Sequence, residues 1–292
     1  MRKIRELVIE KSLLGSALIT IAVTVGIISV LAIEAVRFFK EVSLFDFFTD
    51  TQWTPLFTDK HYGILPLLSG TFLTSLIAIS VALPIGLSIS IYLSEYAPKS
   101  FRKTIKPLLE LLAAIPTVVY GFFALIVVTP FLQQFIPNLS GFNSLSAGVV
   151  MGIMIIPFVS SISEDALHAV PRALREASYG MGATKLQTAF KVVVPAASSG
   201  IIVSIILAIS RAIGETMIVA VAAGQQPRLT LDPTVPVETI TAYIVQVSLG
   251  DVEHGSIEYR TIFAAGITLF VFTFLLNTLS YRIRKKYQEK YE

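Results

Sequence analysis

Two charged residues sit inside one long apolar run. The segment from Ile201 to Val221 carries Arg211 and Glu215 within SRAIGETM (210–217), although a charge at the centre of a membrane helix costs about 2.5–3.5 kcal/mol to insert. Residues at i and i+4 share a helix face, so a continuous helix sets both charges on one side, in line with Ser204 and Ala208. A guanidinium stays charged at any relevant pH and offers a planar fork of donors that matches two oxygens of an oxyanion. The chemistry on offer is anion binding along a protein-lined path. Glu215 would neutralise Arg211 when the anion is absent, or accept a hydrogen bond from a protonated oxyanion. A structural ion pair tying this segment to its neighbours is the alternative. Another is a proton-carrying acid of an ion-coupled transporter, with Glu215 in that role.

The rest of the chain explains why these charges stand out. Of its 292 residues 54% are hydrophobic and 15% are charged, whereas a soluble domain carries about 25% charged residues. The apolar residues fall in blocks near the ~20-residue length of a membrane-crossing helix. Six such blocks are expected, at 13–33, 70–93, 108–131, 145–163, 197–222 and 261–281, which makes an all-α, polytopic membrane protein with the lipid bilayer as its solvent. The opening MRKIRELVIEK has the charge pattern of a signal sequence, but the run Leu13–Ile33 is too long and no small-residue cleavage pattern follows, so an uncleaved first span is expected. The absence of cysteine removes disulfides, thiolate metal sites and thiol nucleophiles. The three histidines (His61, His168, His254) are scattered and form no metal-ligand cluster, and no nucleophile–base constellation stands among the blocks.

Most of the 23 basic residues gather on one side: in the N-tail, around 99–106, around 172–191, and in the C-tail. Lys and Arg enrichment marks the cytoplasmic side, so both termini are expected there. Because these residues flank apolar blocks, the basic pI implies no nucleic-acid partner. Of the basic residues only Arg211 falls inside a block. Small and polar stripes at helical spacing run along the second block (Thr71, Thr74, Ser75, Ala78, Ala82) and the third (Thr117, Tyr120, Gly121, Ala124). They serve either close helix packing or the lining of a path. The long outer segments 34–69 and 223–260 are expected to form a packed lid or to meet an external partner.

Residues 164–196, between the fourth and fifth blocks, are too long and too well patterned for a plain connection. Pro171 suits a helix start. Ala173, Leu174, Ala177 and Met181 then share an apolar face, and Gly180 and Gly182 end the helix. From pattern alone this is a docking helix or one lying on the membrane surface. The G-x-x-x-x-G-K-[ST] loop of ATP-binding chains is missing, since GMGATKLQT has the wrong spacing and context.

This stretch resembles the EAA loop of ABC-importer permeases: Glu176-Ala177-Ser178, then Gly182, then Val192-x-Val194-Pro195 at the family's spacing, with Ser for the second Ala and Val for Ile and Leu. The resemblance implies a type I ABC importer permease fold, in which the loop is a coupling helix seated in a groove of a separate ATPase subunit. Arg172, Arg175, Glu176, Ala177, Met181, Gly182 and Pro195 would take part in that coupling. Further segments, KPLLELLAAIPTVVYGFFAL (106–125), GIMIIP (152–157) and SRAIGETM among them, are similar to phosphate permeases of the Pst type, and to the PstC-type subunits more than the PstA type. That resemblance implies a PstA-like second permease, a PstB-like ATPase dimer that binds ATP and Mg²⁺, a PstS-like phosphate-binding protein, and no cofactor in this chain. Arg211, Glu215, Ser204, Thr117 and Tyr120 would line the phosphate pathway. Transport of another oxyanion, sulfate or molybdate, is the nearest alternative.

Overall fold

The structure, a computed structural model, describes the backbone of residues 2–287 and the side chains of residues 6–279, 281 and 282. The tail charges Arg2, Lys3, Arg5, Arg284, Lys285 and Lys286 lie outside the described side chains, and Lys290 lies outside the described residues. Among the described residues there are helices and two isolated bridges, and no strand.

Helix α1 (Arg2–Phe39) carries a long apolar stretch able to cross a membrane, which the rest of the chain does not bury. A short helix α2 (Leu44–Thr49), capped by the Ser43 hydroxyl, begins the outer segment. Helix α3 (Leu65–Ile91) then crosses, with Pro84 inside it, and ends in a π-helical turn at Tyr92–Tyr96.

The third apolar block is bent, not one straight helix. Helix α4 (Lys99–Ala113) turns by 85° into α5 (Thr117–Phe123), which continues through a π-helical turn at 124–128 into α6 (Thr129–Gln133). Pro116 sits at the corner in extended conformation, and a proline turns the residue before it away from helix. The Tyr120 hydroxyl donates to the Leu112 carbonyl at 2.8 Å across that corner. Residues 108–113, expected inside the third span, form the end of an amphipathic helix, with Leu108, Leu111 and Leu112 on its apolar face.

Helix α7 (Ser144–Ala169), capped by Asn143, is the central crossing and packs along α3. At Gly152 a Cβ would lie 2.7 Å from the Ala78 carbonyl oxygen, so the two backbones touch only because no side chain intervenes. The stripe Thr71, Thr74, Ser75, Ala78 and Ala82 is buried in this packing, and Thr71 and Thr74 satisfy their hydroxyls on the Leu67 and Gly70 carbonyls, both at 2.8 Å. The second-block stripe is thus a packing surface.

Helix α7 runs six residues into the expected connecting loop, so 164–169 belong to it. The loop proper holds α8 (Arg172–Gly180), α9 (Lys185–Thr188) with a Thr184–Gln187 capping box, a π-helical turn at 189–193, and α10 (Val194–Ala196). A 72° bend leads into α11 (Ser198–Ile213). The fifth block breaks again: α11 ends at Ile213 and helix resumes as α12 (Met217–Ala222). Helix α13 (Ile240–Leu249) lies in the outer segment, and α14 (Ile257–Tyr287) closes the bundle against α1. Among the described residues there are, by length and composition, four unbroken helices able to cross a membrane, and six if each bent pair counts as one span.

The two outer segments pack on each other. Phe38, Phe47, Trp53, Ile64, Leu67, Ile240 and Tyr243 form one buried cluster, with edge-to-face contacts between Phe38 and Phe47 and between Trp53 and Tyr243. The loop 223–239 is tied down by Ser140 and Leu145 N–H groups donating to the Thr234 and Pro233 carbonyls at 3.0 and 2.9 Å. The two segments form a packed cap, or lid, on one end of the bundle.

Candidate functional site

The break in the fifth block separates the two charges that the sequence joins. Arg211 stands in the last turn of α11, where its positive charge faces the helix's carbonyl end. Its side chain is exposed in this chain and reaches the Met154 sulfur at 4.0 Å. Among the described residues no carboxylate pairs with it. Glu215 is 8% exposed and turns the other way: its Oε1 accepts from the Met217 and Ile218 N–H groups at 3.1 and 3.4 Å, capping α12. The Glu215 carbonyl accepts from the Thr241 hydroxyl at 2.6 Å, which ties the break to the lid. The expected i, i+4 pairing on one helix face is therefore absent, because Gly214 ends the first helix between the two residues.

The other predicted pathway residues scatter. Ser204 is wholly buried, with its hydroxyl 2.7 Å from that of Ser163 and donating to the Ile201 carbonyl at 2.8 Å; it belongs to the α7–α11 seam. Tyr120 uses its hydroxyl at the α4–α5 corner. Thr117 opens α5 and is partly exposed. Among the described residues these five are not joined by any hydrogen bond or ion pair. Gly121 explains the third-block stripe: a Cβ there would lie 3.0 Å from Val221 Cβ and 3.1 Å from the Met217 carbonyl, so α5 and α12 meet backbone to backbone.

The α8 region divides into an anchored side and an open side. Arg175 faces inward, with its guanidinium on Glu95 at 2.9 Å and on the Leu167 and Val170 carbonyls at 2.8 and 2.5 Å. It seats α8 on the end of α7, on the side of the helix turned towards the bundle. Leu174 also packs inward, and Ser178 bonds Thr188 at 2.9 Å. The open side presents Arg172, Ala173, Glu176, Ala177 and Met181, the last 89% exposed. Gly182 turns the chain at φ +83°, a region that favours glycine, and Pro195 is exposed on α10. Met181, just past the end of α8, is thus a large apolar side chain left open beside small residues.

In the lid, Trp53, Leu56, Gln225, Gln226, Glu238 and Gln246 help line a cavity of about 280 Å³. Glu238 is 2% exposed and its Oε1 has no hydrogen-bond partner among the described residues. Burial pushes its carboxyl up to about 8. Sequence reading missed this acid because it stands in a polar loop that gives no sign of enclosure.

This bundle, with its broken crossing helices, has counterparts of known structure. The inward-facing MetNI methionine ABC transporter shares the fold over 78% of this chain and 95% of that one, with 20% identity and a TM-score of 0.56. A bacterial alginate ABC transporter, solved with an alginate pentasaccharide-bound periplasmic protein, shares it over 94% and 95%, with 20% identity and a TM-score of 0.63. The family model described as "Binding-protein-dependent transport system inner membrane component" matches residues 82–289, and the chain belongs to that family. Among its relatives are the "Probable ABC transporter permease protein YqgH" of Bacillus subtilis (37% identity, 90% of this chain and 85% of that one) and the "Phosphate transport system permease protein PstC" of Mesorhizobium japonicum (36%, 81% and 77%). The PstC protein of Haemophilus influenzae is 34% identical over 83% and 82%. These likenesses place it with the PstC-type permeases.

Proposed function

We propose that this chain is one half of a permease heterodimer that imports inorganic phosphate across the bacterial cytoplasmic membrane by alternating access. The observation that carries the substrate is the series of relatives named PstC, at 36% to 30% identity over about four fifths of the chain. Arg211 fits it chemically, as a guanidinium without a carboxylate partner at a break in a crossing helix. An intramembrane arginine of this kind faces a watery path or a partner subunit, and its fork suits a tetrahedral oxyanion. A PstA-like permease supplies the other half of the path, and a PstS-like binding protein delivers phosphate to the lid side.

Energy comes from a separate PstB-like ATPase dimer, which holds ATP and Mg²⁺; this chain carries no cofactor. The open side of α8 seats in that subunit, with Met181 as the apolar anchor and Arg172 and Glu176 as flanking charges. Arg175 and Glu95 carry its movement into α7 and the end of α3. The N- and C-termini, with the basic segments, face the cytoplasm. The test is reconstitution with the ATPase and the second permease. ATP hydrolysis stimulated by phosphate-loaded and not by sulfate-loaded binding protein is the expected result; equal stimulation assigns the chain to oxyanions at large.

A further inference from the structure

Helix α4 leaves two different faces uncovered. Lys99, Arg102, Lys103 and Lys106 recur at i, i+3, i+4 and i+7 along one side. Phe101, Leu108, Leu111 and Leu112, between 43% and 64% exposed, run along the other. The edge between them leans on α7, where the nearly buried Glu164 pairs with both Arg102 and Lys106, and Asp165 takes Lys106 at 2.7 Å. Two of the four charges are therefore spent on fixing the helix. Lys99 and Lys103, with Arg172 at the start of α8, have no carboxylate partner among the described residues.

These groups surround an open cavity of about 500 Å³, lined by Lys99, Arg102, Lys103, Lys106, His168 and Arg172, with Glu110 as its acid. The lining is strongly cationic, and it stands beside an exposed apolar stripe. A free anion would account for the cations and leave the stripe in water. A phosphate headgroup with acyl chains satisfies both at once, since a basic amphipathic helix lies in the boundary between headgroups and chains. Basic pockets beside crossing helices on the cytoplasmic side hold anionic headgroups in the same manner.

We infer that this cavity binds the phosphate of an anionic phospholipid, and that the lipid bridges α4 to the first residue of α8. The lipid would then hold the coupling helix in register with the bundle, because Arg172 belongs to α8 while the lysines belong to α4. The coupling role of α8 and the cytoplasmic leaflet rest on the proposed function; the cationic lining and the apolar stripe do not.

The experiment uses the complete transporter complex, purified from membranes and read by native mass spectrometry for retained phosphatidylglycerol, with no transport step involved. Wild type is expected to retain the lipid, and the Lys99→Gln/Lys103→Gln variant to hold it about 25-fold more weakly, at about fivefold per charge. Leu111→Gln, on the exposed stripe, is expected to weaken retention while leaving the cations in place. In nanodiscs, phosphatidylglycerol is expected to raise binding-protein-stimulated ATP hydrolysis over that in phosphatidylcholine, and the double variant to lose that rise. Equal retention by wild type and double variant overturns the site. Displacement of the lipid by millimolar inorganic phosphate overturns the lipid assignment in favour of a free-anion site. A transporter that fails the phosphate-stimulation test still returns the retention result, so the two readings fail separately.

Discussion

Arg211 and Glu215 stand four residues apart, yet no helical turn joins them: the guanidinium reaches the Met154 sulfur while the carboxylate caps α12 at the Met217 N–H. The two charges thus have separate tasks, and their variants should separate as well.

Arg211→Ala removes a group that no carboxylate in the described chain depends on. Assembly and thermal stability of the complex should be unchanged, while phosphate uptake falls by roughly tenfold to a hundredfold, the worth of a hydrogen bond from a charged donor. Co-purification of the subunits together with radiolabelled uptake reads both. Arg211→Lys, which keeps charge and loses the fork, should fall in between.

Glu215→Gln keeps an oxygen able to accept from the Met217 N–H, so transport and preference for phosphate over sulfate should persist. Glu215→Ala leaves that N–H without its cap and should cost about 1 kcal/mol. A loss of selectivity in the glutamine variant would return Glu215 to the anion path. The measurement is uptake in competition with sulfate.

Glu95→Ala leaves the guanidinium of Arg175 half-enclosed with only backbone carbonyls to hold it. Loss of one partner from a buried pair costs about 3–5 kcal/mol, less here because Arg175 keeps its carbonyls. Helix α8 should become sensitive to protease, and ATP hydrolysis should lose its response to the binding protein. Limited proteolysis and the stimulated ATPase rate check the two effects.

Gly182→Ala tests the turn after α8. Space is not the obstacle, since a Cβ there meets nothing within 4 Å. The cost is the positive φ alone, about 1–2 kcal/mol. Thermal stability should drop slightly and coupling more, because the strain falls on the joint between α8 and α9.

Glu238 gives the lid a pH dependence with a definite sign. The folded protein keeps this proton up to about pH 8, whereas an ordinary carboxyl releases it near 4.5. The native state then binds more protons than the unfolded one, so stability falls as pH rises between these values and levels off above. The fall amounts to at most about 5 kcal/mol. Glu238→Gln should flatten the curve, as read from the thermal midpoint of the purified complex across that range.

Much of this was legible in the chain. The blocks of apolar residues located the four unbroken crossings, and the spacing from Glu176 to Pro195 located the projecting loop. The corners were not legible, for a physical reason. Leu108, Leu111 and Leu112 are apolar because one face of α4 is apolar, and composition cannot tell a stripe from a span. Pro116 marked the bend, but prolines also lie inside α3 and α7 without breaking them. Gly214 likewise gave no warning that Arg211 and Glu215 end on different helices. For Ser204, helical phase set it in line with Arg211 while saying nothing of Ser163, whose hydroxyl meets it from α7.

Helix α1 rests chiefly on α14, which is made long after it. Until α14 is made, α1 must therefore stand in the bilayer without that companion. A long apolar crossing stretch, with the hydroxyls of Thr20 and Thr24 turned back onto its own carbonyls, is what a helix needs when its neighbour arrives late.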